Sequence, residues 1–185
     1  MTQKAAPEAG AAKREADSCD AKVRRLQAYI DNPIPPGKVG SQATTLTENE
    51  LNSYFDLVLR PQYHPSLKGI RFKLSESRLQ SYAVLDFDRL ELDSTQFLTG
   101  LIRKLLSGVH SLTILGGIVS GSGKASFRLE EASFDGVALP NLLVSEIISA
   151  VGRKQNPPFD PMQPSALPYG IQRVELHSGR LVVYQ

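Results

Sequence analysis

Apolar side chains just after residue 50 recur at the spacing of one helix face. They fall at positions i, i+3, i+4, i+7 and i+8: Leu51, Tyr54, Phe55, Val58 and Leu59. Thr47 and Glu50 precede this face with the spacing of a capping box, and Leu46 stands where a hydrophobic staple would form. Because Pro61 cannot continue a helix, the sequence predicts a capped amphipathic helix over Leu46–Leu59.

Alternating apolar and polar residues follow this helix, with the period of half-buried strands. The pattern appears in five segments: Ile70–Leu74, Leu79–Phe87, Val109–Ser120, Ala125–Leu129 and Ala132–Leu139. Asp135-Gly136 is a hairpin-type turn signal. The C-terminal segment Gly170–Gln185 is predicted to form a hairpin around Ser178-Gly179.

A second helical pattern begins at Pro140. Its apolar residues are Leu142, Leu143, Val144, Ile147, Ile148 and Val151. The strands cluster between the two helices without a regular β-α alternation, which favours an antiparallel α+β domain. Five prolines make Pro157–Pro168 an extended loop.

The first 40 residues are predicted to be a flexible tail and linker. Met1–Ser18 is rich in Ala, Lys and Glu without core-forming periodicity, which is typical of a disordered or fraying tail. Asp20–Ile30 can form a short helix, and three prolines and two glycines make Asn32–Gly40 a linker. Residues 41–185 are then expected to form a single α+β domain. The single cysteine, Cys19, falls in the tail and is interpreted as an incidental thiol.

Charge and hydropathy limit the classes of function. A net charge of +2 gives no global field for nucleic acid. No run reaches the ~18 apolar residues of a membrane span. Met1–Asp20 lacks the apolar core of a signal peptide, so any signal or anchor is expected to lie outside this sequence.

The glycine-rich stretch Gly116–Ser126 superficially suggests phosphate binding. A phosphate loop requires a glycine five residues before its Gly-Lys pair and a hydroxyl directly after it. Ile118 and Ala125 occupy those two positions. The pattern therefore favours a hairpin turn or a glycine bulge.

Other chemical groups do not form a catalytic pattern in the sequence. The acidic cluster of Asp86, Asp88, Glu91 and Asp93 alternates with apolar residues and lacks the glycine of a calcium loop, which indicates a solvated strand face. None of the three histidines, His64, His110 and His177, has a second ligand at metal-binding spacing. We therefore expect neither an enzyme nor a bound cofactor or metal.

Three short stretches carry a resemblance to a known family: Leu46–Asn52, Phe134–Pro140 and Leu167–Val183. With the order of the elements around them, they resemble the small bacterial members of the tubular lipid-binding protein superfamily. The resemblance covers Thr44–Gln185, except that Phe97–Leu106 and the proline-rich loop do not match the pattern. It implies a highly curved antiparallel sheet wrapped around a long N-terminal helix, with a second C-terminal helix and lipid held in the seam.

The expected function is non-enzymatic binding or transport of a lipid or another apolar ligand at a bacterial cell envelope or in the periplasm. The alternative is a structural or interaction module of an envelope complex, with a filled core and no ligand. The lipid-binding residues are predicted on the apolar faces: Leu51, Tyr54, Phe55, Val58, Ile70, Phe72, Leu74, Leu85, Phe87, Phe127, Leu129, Ile147, Ile148 and Val151. An envelope protein is a further expected partner.

The segment Phe97–Leu106 has a broad apolar face with basic residues beside it. Leu101, Arg103 and Lys104 are predicted to dock on an anionic membrane surface, because basic residues that flank an apolar face suit such a surface. The alternative is a buried helix that closes the end of the sheet.

Overall fold

The computed structural model describes residues 5–33, 35–89, 107–154 and 158–185 of the chain. Within these ranges the α-helices are α1 (Ala5–Gln27), α2 (Glu48–Tyr54) and α3 (Asn141–Arg153). The strands are β1 (Ala43–Thr47), β2 (Leu67–Ser75), β3 (Arg78–Asp86), β4 (Val109–Gly121), β5 (Lys124–Phe134), β6 (Val137–Ala138), β7 (Ser165–Ala166), β8 (Arg173–His177) and β9 (Arg180–Tyr184). Short 3₁₀ turns cover Ala28–Ile30, Pro36–Lys38, Arg60–Gln62 and Phe87–Arg89.

The predicted capping box opens α2. The Thr47 hydroxyl accepts a hydrogen bond from the Glu50 N–H at 3.2 Å, and the Glu50 carboxylate accepts one from the Thr47 N–H at 2.8 Å. Leu46 and Leu51, the two residues of the predicted staple, lie in one apolar cluster. The helix predicted over this segment is therefore confirmed, with its last five residues, Phe55–Leu59, wound as a π-helix.

Replacing Thr47 with alanine is expected to lower the free energy of unfolding by about 1 kcal/mol, because the Glu50 N–H loses its acceptor. Chemical denaturation measures the change. Thr45→Ala is the matched control, since Thr45 is an exposed residue of the same strand that caps nothing. Equal losses in the two variants would contradict a capping role for Thr47.

The strands form two antiparallel sheets. The smaller sheet has the order β1-β9-β8, and the larger six-stranded sheet has the order β2-β3-β4-β5-β6, with β7 also paired to β5. The α+β class and the large antiparallel sheet are thus confirmed. The larger sheet is open, because its order begins at β2 without returning to it.

Left-handed residues close the hairpins where the sequence predicted turns. Asp135 and Gly136 have φ values of 47° and 82° between β5 and β6, and Gly179 has a φ of 70° between β8 and β9. Glycine adopts this conformation without a steric penalty, and aspartate tolerates it better than most residues. Both predicted turn signals are confirmed.

The glycine-rich stretch forms the end of β4, a tight turn and the start of β5. Ser122 and Gly123 close this hairpin with φ values of 51° and 75°. The register between the two strands shifts at Gly116, where a Cβ atom would overlap the carbonyl oxygen of Arg128 and the ring of Phe127. Glycine is therefore required here for a strand irregularity and close packing, as the hairpin interpretation predicted.

Side chains of α2 cover the β2 edge of the larger sheet. The Asn52 amide donates to the Phe72 carbonyl at 2.8 Å and accepts from the Phe72 N–H at 2.7 Å, as a neighbouring strand would. The Glu48 carboxylate accepts from the Leu74 N–H at 2.7 Å. Because an edge strand otherwise presents unpaired backbone groups, these contacts fix α2 against the sheet.

The N-terminal prediction is wrong for the part of Met1–Ser18 that the structure describes. The long helix α1 begins at Ala5, and its residues Ala16, Cys19 and Leu26 are buried. Cys19 and Leu26 pack with Leu46, Ile171 and Val183 in an apolar cluster between α1 and the smaller sheet, which we call the second cluster. The predicted long N-terminal helix is thus present, but it lies upstream of the segment from which it was predicted. The division at residue 40 stays a prediction.

The main core lies between α3 and one face of the larger sheet. Val144 and Ile147 of α3 are fully buried there. Seven residues of β3–β5 and the turn after β3 share the cluster: Ala83, Leu85, Phe87, Leu112, Ile114, Ala132 and Phe134. We call this side of the sheet the inner face. The predicted segment Phe97–Leu106 and the first residue of the Pro157–Pro168 loop lie outside the described residues.

Candidate ligand-binding face

Strand alternation assigns the predicted ligand-binding residues of β2 to the inner face. Ile70 and Phe72 are opposite Ala83 and Ser81 of β3, both of which are buried. Phe127 and Leu129 of β5 and Ile148 of α3 also belong to this side, as half-buried residues around the main core. The sheet therefore brings together side chains that are far apart in the sequence.

Three of the predicted ligand-binding residues are part of the filled core. Leu85, Phe87 and Ile147 are 2%, 5% and 1% exposed. Phe87 contacts the ring of Phe134 edge-on, with 5.5 Å between ring centroids. These side chains are in contact with protein on all sides, as in an ordinary close-packed interior.

Four other predicted residues lie away from that core. Leu51 and Tyr54 pack on the second cluster, between α1 and the smaller sheet. Phe55 packs edge-on against Phe72 at 4.7 Å between centroids, beyond the end of α2. Val58 is half-buried on the π-helix. The two sides of the helix thus contact different clusters.

The two remaining predicted ligand-binding residues are Leu74 and Val151. Leu74 is buried in β2, and its carbonyl accepts from the Gly179 N–H at 3.1 Å. Val151 belongs to α3, but its side chain lies outside the described part of the structure. The predicted membrane-docking residues Leu101, Arg103 and Lys104 also lie outside the described residues.

A polar cleft that the sequence analysis missed lies where α1 meets the start of α2. It has a volume of about 300 Å³. Its lining residues are Ala11, Arg14, Glu15, Ser18, Thr47 and Glu50. The available signal was the spacing of Ala16, Cys19, Val23 and Leu26, which places apolar side chains on one face of α1. When that apolar face packs on the second cluster, polar residues of α1 come to lie beside Thr47 and Glu50 and line the cleft.

Glu50 is the most strongly constrained acid of this cleft. Its carboxylate accepts from Lys22 Nζ at 2.6 and 2.7 Å and from Ser18 Oγ at 2.6 Å. Burial raises the pKa of Glu50, but the hydrogen bonds from Lys22, Ser18 and the Thr47 N–H outweigh it and lower that pKa to about 2. The carboxylate is therefore a weak base, and its partly buried ion pair with Lys22 joins α1 to α2.

Cys19 lies beside this ion pair and is completely buried. Burial, followed by the negative charge of Glu50, raises the pKa of the Cys19 thiol to about 11. The thiol is thus protonated at neutral pH and is a poor nucleophile. It serves as a small apolar residue in the α1 interface, so the prediction that it lies in a flexible tail is wrong.

His110, near the start of β4, forms a second polar cluster with Asp135 and Ser107. Its Nδ1 lies 2.6 Å from Asp135 Oδ2, and its Nε2 lies 2.7 Å from the Ser107 carbonyl oxygen. Both neighbours are acceptors, so both ring nitrogens donate only when the imidazole is protonated. The hydrogen bonds to Asp135 and Ser107 raise the pKa of His110, and Asp88 adds a further negative charge nearby.

The stabilising effect of His110 is expected to be fully present below pH 6.5 and to disappear as the pH rises through its raised pKa. An NMR titration of the imidazole should give a midpoint above 6.5. Asp135→Asn should lower that midpoint, because the strongest hydrogen-bond acceptor loses its charge. Glu131→Gln, an exposed change on the same strand β5, is the control. Equal midpoints in the wild type and Asp135→Asn would contradict this assignment.

The acidic residues predicted to form a solvated strand face do not form one in the described structure: the side chain of Asp86 at the end of β3 is 13% exposed, Asp88 lies in the 3₁₀ turn after β3, and Glu91 and Asp93 lie outside the described residues. Asp86 pairs with Lys68 and Arg89, each at 3.2 Å, and Asp88 accepts from the Gly108 N–H at 3.0 Å. Among the residues that the structure describes, no group of three His, Cys, Asp or Glu side chains could hold a metal ion.

Comparisons with protein-family models, curated proteins and solved structures found no match to this chain. In the described ranges, no helix combines the length and the apolar character that a membrane span requires.

Proposed function

We propose that this chain binds a lipid or another apolar ligand without enzymatic activity, on the inner face of its larger sheet. The observation that carries the proposal is a ring of half-buried apolar side chains around the filled core: Leu67, Ile70, Phe127, Leu129, Leu139, Leu143 and Ile148. Four of them, Ile70, Phe127, Leu129 and Ile148, are among the residues predicted from sequence. The ligand would cover this ring rather than enter the core.

Two helices contact the larger sheet towards opposite edges, and we place the ligand between them on the inner face. α2 packs on β2 at one edge, and α3 packs on β5 towards the other edge. A ligand between them would contact Ile70 on one side and Ile148 on the other. Each methylene removed from water would contribute roughly 0.8 kcal/mol, so an acyl chain fits better than a small polar molecule.

The polar clusters support a non-enzymatic protein. Ser18 and Lys22 both donate to the carboxylate of Glu50, whose pKa is lowered to about 2. This carboxylate is too weak a base to remove the proton of the Ser18 hydroxyl. His110 has both ring nitrogens engaged by acceptors. A general base needs a free nitrogen or oxygen directed at its substrate, and neither cluster offers one.

Native mass spectrometry of gently purified protein tests the proposal by detecting co-purified lipid. Binding of an environment-sensitive apolar dye should then weaken at least about tenfold in Ile70→Glu, because a carboxylate in the ring must lose its hydration. Val84→Glu is the matched control, since Val84 is 40% exposed and is on the opposite face of the same sheet. Absence of bound lipid together with equal dye affinity in both folded variants would refute the proposal.

The burial of Leu85, Phe87 and Ile147 favours a second candidate, an interaction module with a filled core. In the described part of the chain, every buried side-chain nitrogen or oxygen also has a hydrogen-bond partner, as expected of a finished core. This candidate predicts protein without bound lipid and with a stable partner from the envelope. Co-purification of a protein in place of a lipid would favour it.

The bacterial envelope location, the wrapped sheet of the tubular lipid-binding superfamily and its second C-terminal helix belong to the same proposal. The half-buried ring is compatible with a ligand held between a sheet and helices, which is the arrangement that the family resemblance implies.

An anionic membrane surface remains a proposed partner through Leu101, Arg103 and Lys104. Flotation of the protein with anionic liposomes at low salt tests that contact, with Arg103→Glu/Lys104→Glu as the variant expected not to float.

A further inference from the structure

Several positions on the edges of the two sheets are bonded by side chains or by neighbouring segments. At the outer edge of β8, Ser120 Oγ donates to the Val174 carbonyl at 2.8 Å and accepts from the Val174 N–H at 2.9 Å. The Ser77 N–H donates to the Leu176 carbonyl at 3.0 Å. On the β2 edge Asn52 bonds to both backbone groups of Phe72, and β6 and β7 pair with the two ends of β5.

β1, the outer strand of the smaller sheet, has two successive outward residues whose backbone groups are open. Gln42 and Glu48 bond through their backbones to Gln185 and Gly179, the two residues that flank β9. The alternation of an antiparallel ladder therefore turns residues 43, 45 and 47 outwards. The Thr47 N–H is taken by the Glu50 carboxylate at 2.8 Å. Within the described ranges, the N–H and C=O groups of Ala43 and Thr45 have no hydrogen-bond partner.

We propose that β1 pairs with β1 of a second copy of this chain, in an antiparallel arrangement centred on Thr44. In this register Ala43 is opposite Thr45 of the second copy, and Thr45 is opposite its Ala43. Each of these two pairs exchanges two backbone hydrogen bonds. All four open groups of each copy are then satisfied.

The unpaired stretch of β1 ends on each side at a residue whose N–H is already bonded, as this register requires. Ser41 would be the next outward residue on one side, but its N–H already bonds to the Lys38 carbonyl at 3.1 Å. Thr47 would be the next on the other side, and the Glu50 carboxylate occupies its N–H. The unpaired stretch is thus symmetric about Thr44, as a two-fold axis requires.

The side chains of β1 allow a second copy to approach. Ala43, Thr44 and Thr45 are small and uncharged. Natural proteins block open edges with lysine, proline or bulges, and Ala43–Thr47 contains neither lysine nor proline. Thr44 would be opposite Thr44 of the second copy, in a non-hydrogen-bonded pair whose side chains lie close together.

Sedimentation velocity across a range of protein concentrations tests this pairing. We expect a reversible dimer whose dissociation constant rises at least about tenfold in Thr45→Pro, because each copy loses one donor to the other. Proline removes no hydrogen bond of the single chain there, since the Thr45 N–H points outwards. Thr45→Val keeps that N–H and should dimerise like the wild type. Circular dichroism establishes that each variant is folded.

A cysteine cross-link tests the register even if Thr45→Pro does not fold. Thr44→Cys should form a disulfide-linked dimer under mild oxidation, whereas Thr45→Cys should not, because Thr45 would be opposite Ala43. The wild type controls for Cys19, which is fully buried. The proposal is overturned by a protein that stays monomeric at all concentrations, by a dimer that folded Thr45→Pro leaves intact, or by equal cross-linking at the two positions. A monomer that pairs only with a strand of another protein also overturns it.

Discussion

Ile147→Ala is expected to lower the free energy of unfolding by about 2–5 kcal/mol, which is a large share of the stability of a typical domain. Ile147 is 1% exposed and lies beside Val144, at 0%, in the main core between α3 and the sheet. Removing three carbons there costs their burial and leaves a cavity that surrounding side chains fill only in part. Chemical denaturation measures the loss.

Leu142→Ala is the matched control for Ile147→Ala. It truncates an aliphatic residue of the same helix whose side chain is 64% exposed, so the change should stay below about 1 kcal/mol. If the two variants lose equal stability, Ile147 is not a core residue. A small loss in Ile147→Ala that is accompanied by weaker dye binding would assign Ile147 to a ligand cavity instead.

Glu50→Gln is expected to lower the free energy of unfolding at pH 7 by about 2–3 kcal/mol. The amide keeps the size of the side chain but loses the ion pair with Lys22 that joins α1 to α2. Because Lys22 retains 29% of its side-chain exposure, water partly compensates for the lost carboxylate. The free energy from denaturation at pH 7 gives the magnitude.

The pH dependence of stability provides an independent test of Glu50. Its folded-state pKa of about 2 lies below the ordinary 4.5, so its stabilising effect is present above pH 4.5 and is lost as the pH falls towards 2. Glu50→Gln should lack this part of the acid dependence. Asp17→Asn, an exposed change on α1, should retain it. Identical acid profiles for the wild type and Glu50→Gln would refute the role given to Glu50.

The sequence predicted local elements well where their causes are local. The Thr47 capping box, the Asp135-Gly136 turn and the Gly179 turn each depend on a few neighbouring residues, and each is found where it was predicted. The strands followed from period-two alternation, which an antiparallel sheet imposes on any segment with one buried face. These signals need no knowledge of the rest of the chain.

The N-terminal helix was missed because its causes are not local. α1 has many charged and small residues, and its stability depends on contacts that Cys19 and Leu26 make with the smaller sheet and on the Lys22–Glu50 ion pair. Most helical stability in proteins comes from such tertiary packing rather than from propensity. A short apolar face with alanine and cysteine is weak evidence until its partner is known.

The candidate site was predicted in composition but not in arrangement. The sequence identified apolar faces, and nearly all of those that the structure describes are at least half-buried. Alternation cannot state how deeply a residue is buried, because the same pattern produces Leu85 in the core and Ile70 at its margin. It also cannot separate Tyr54 from Phe55, which are adjacent on one helix but pack in different places.

The sequence by itself determined the α+β class, the capped helix and the hairpin turns, because hydrophobic period and turn chemistry act over a few residues. Only the tertiary structure decided which apolar faces meet, that α1 is part of the fold, and that the outward groups of β1 are left open. Those outcomes depend on strand order and helix packing, in which residues as distant as Lys22 and Glu50, or Ser120 and Val174, come into contact. Pairwise contacts of that kind leave no periodic trace in the chain.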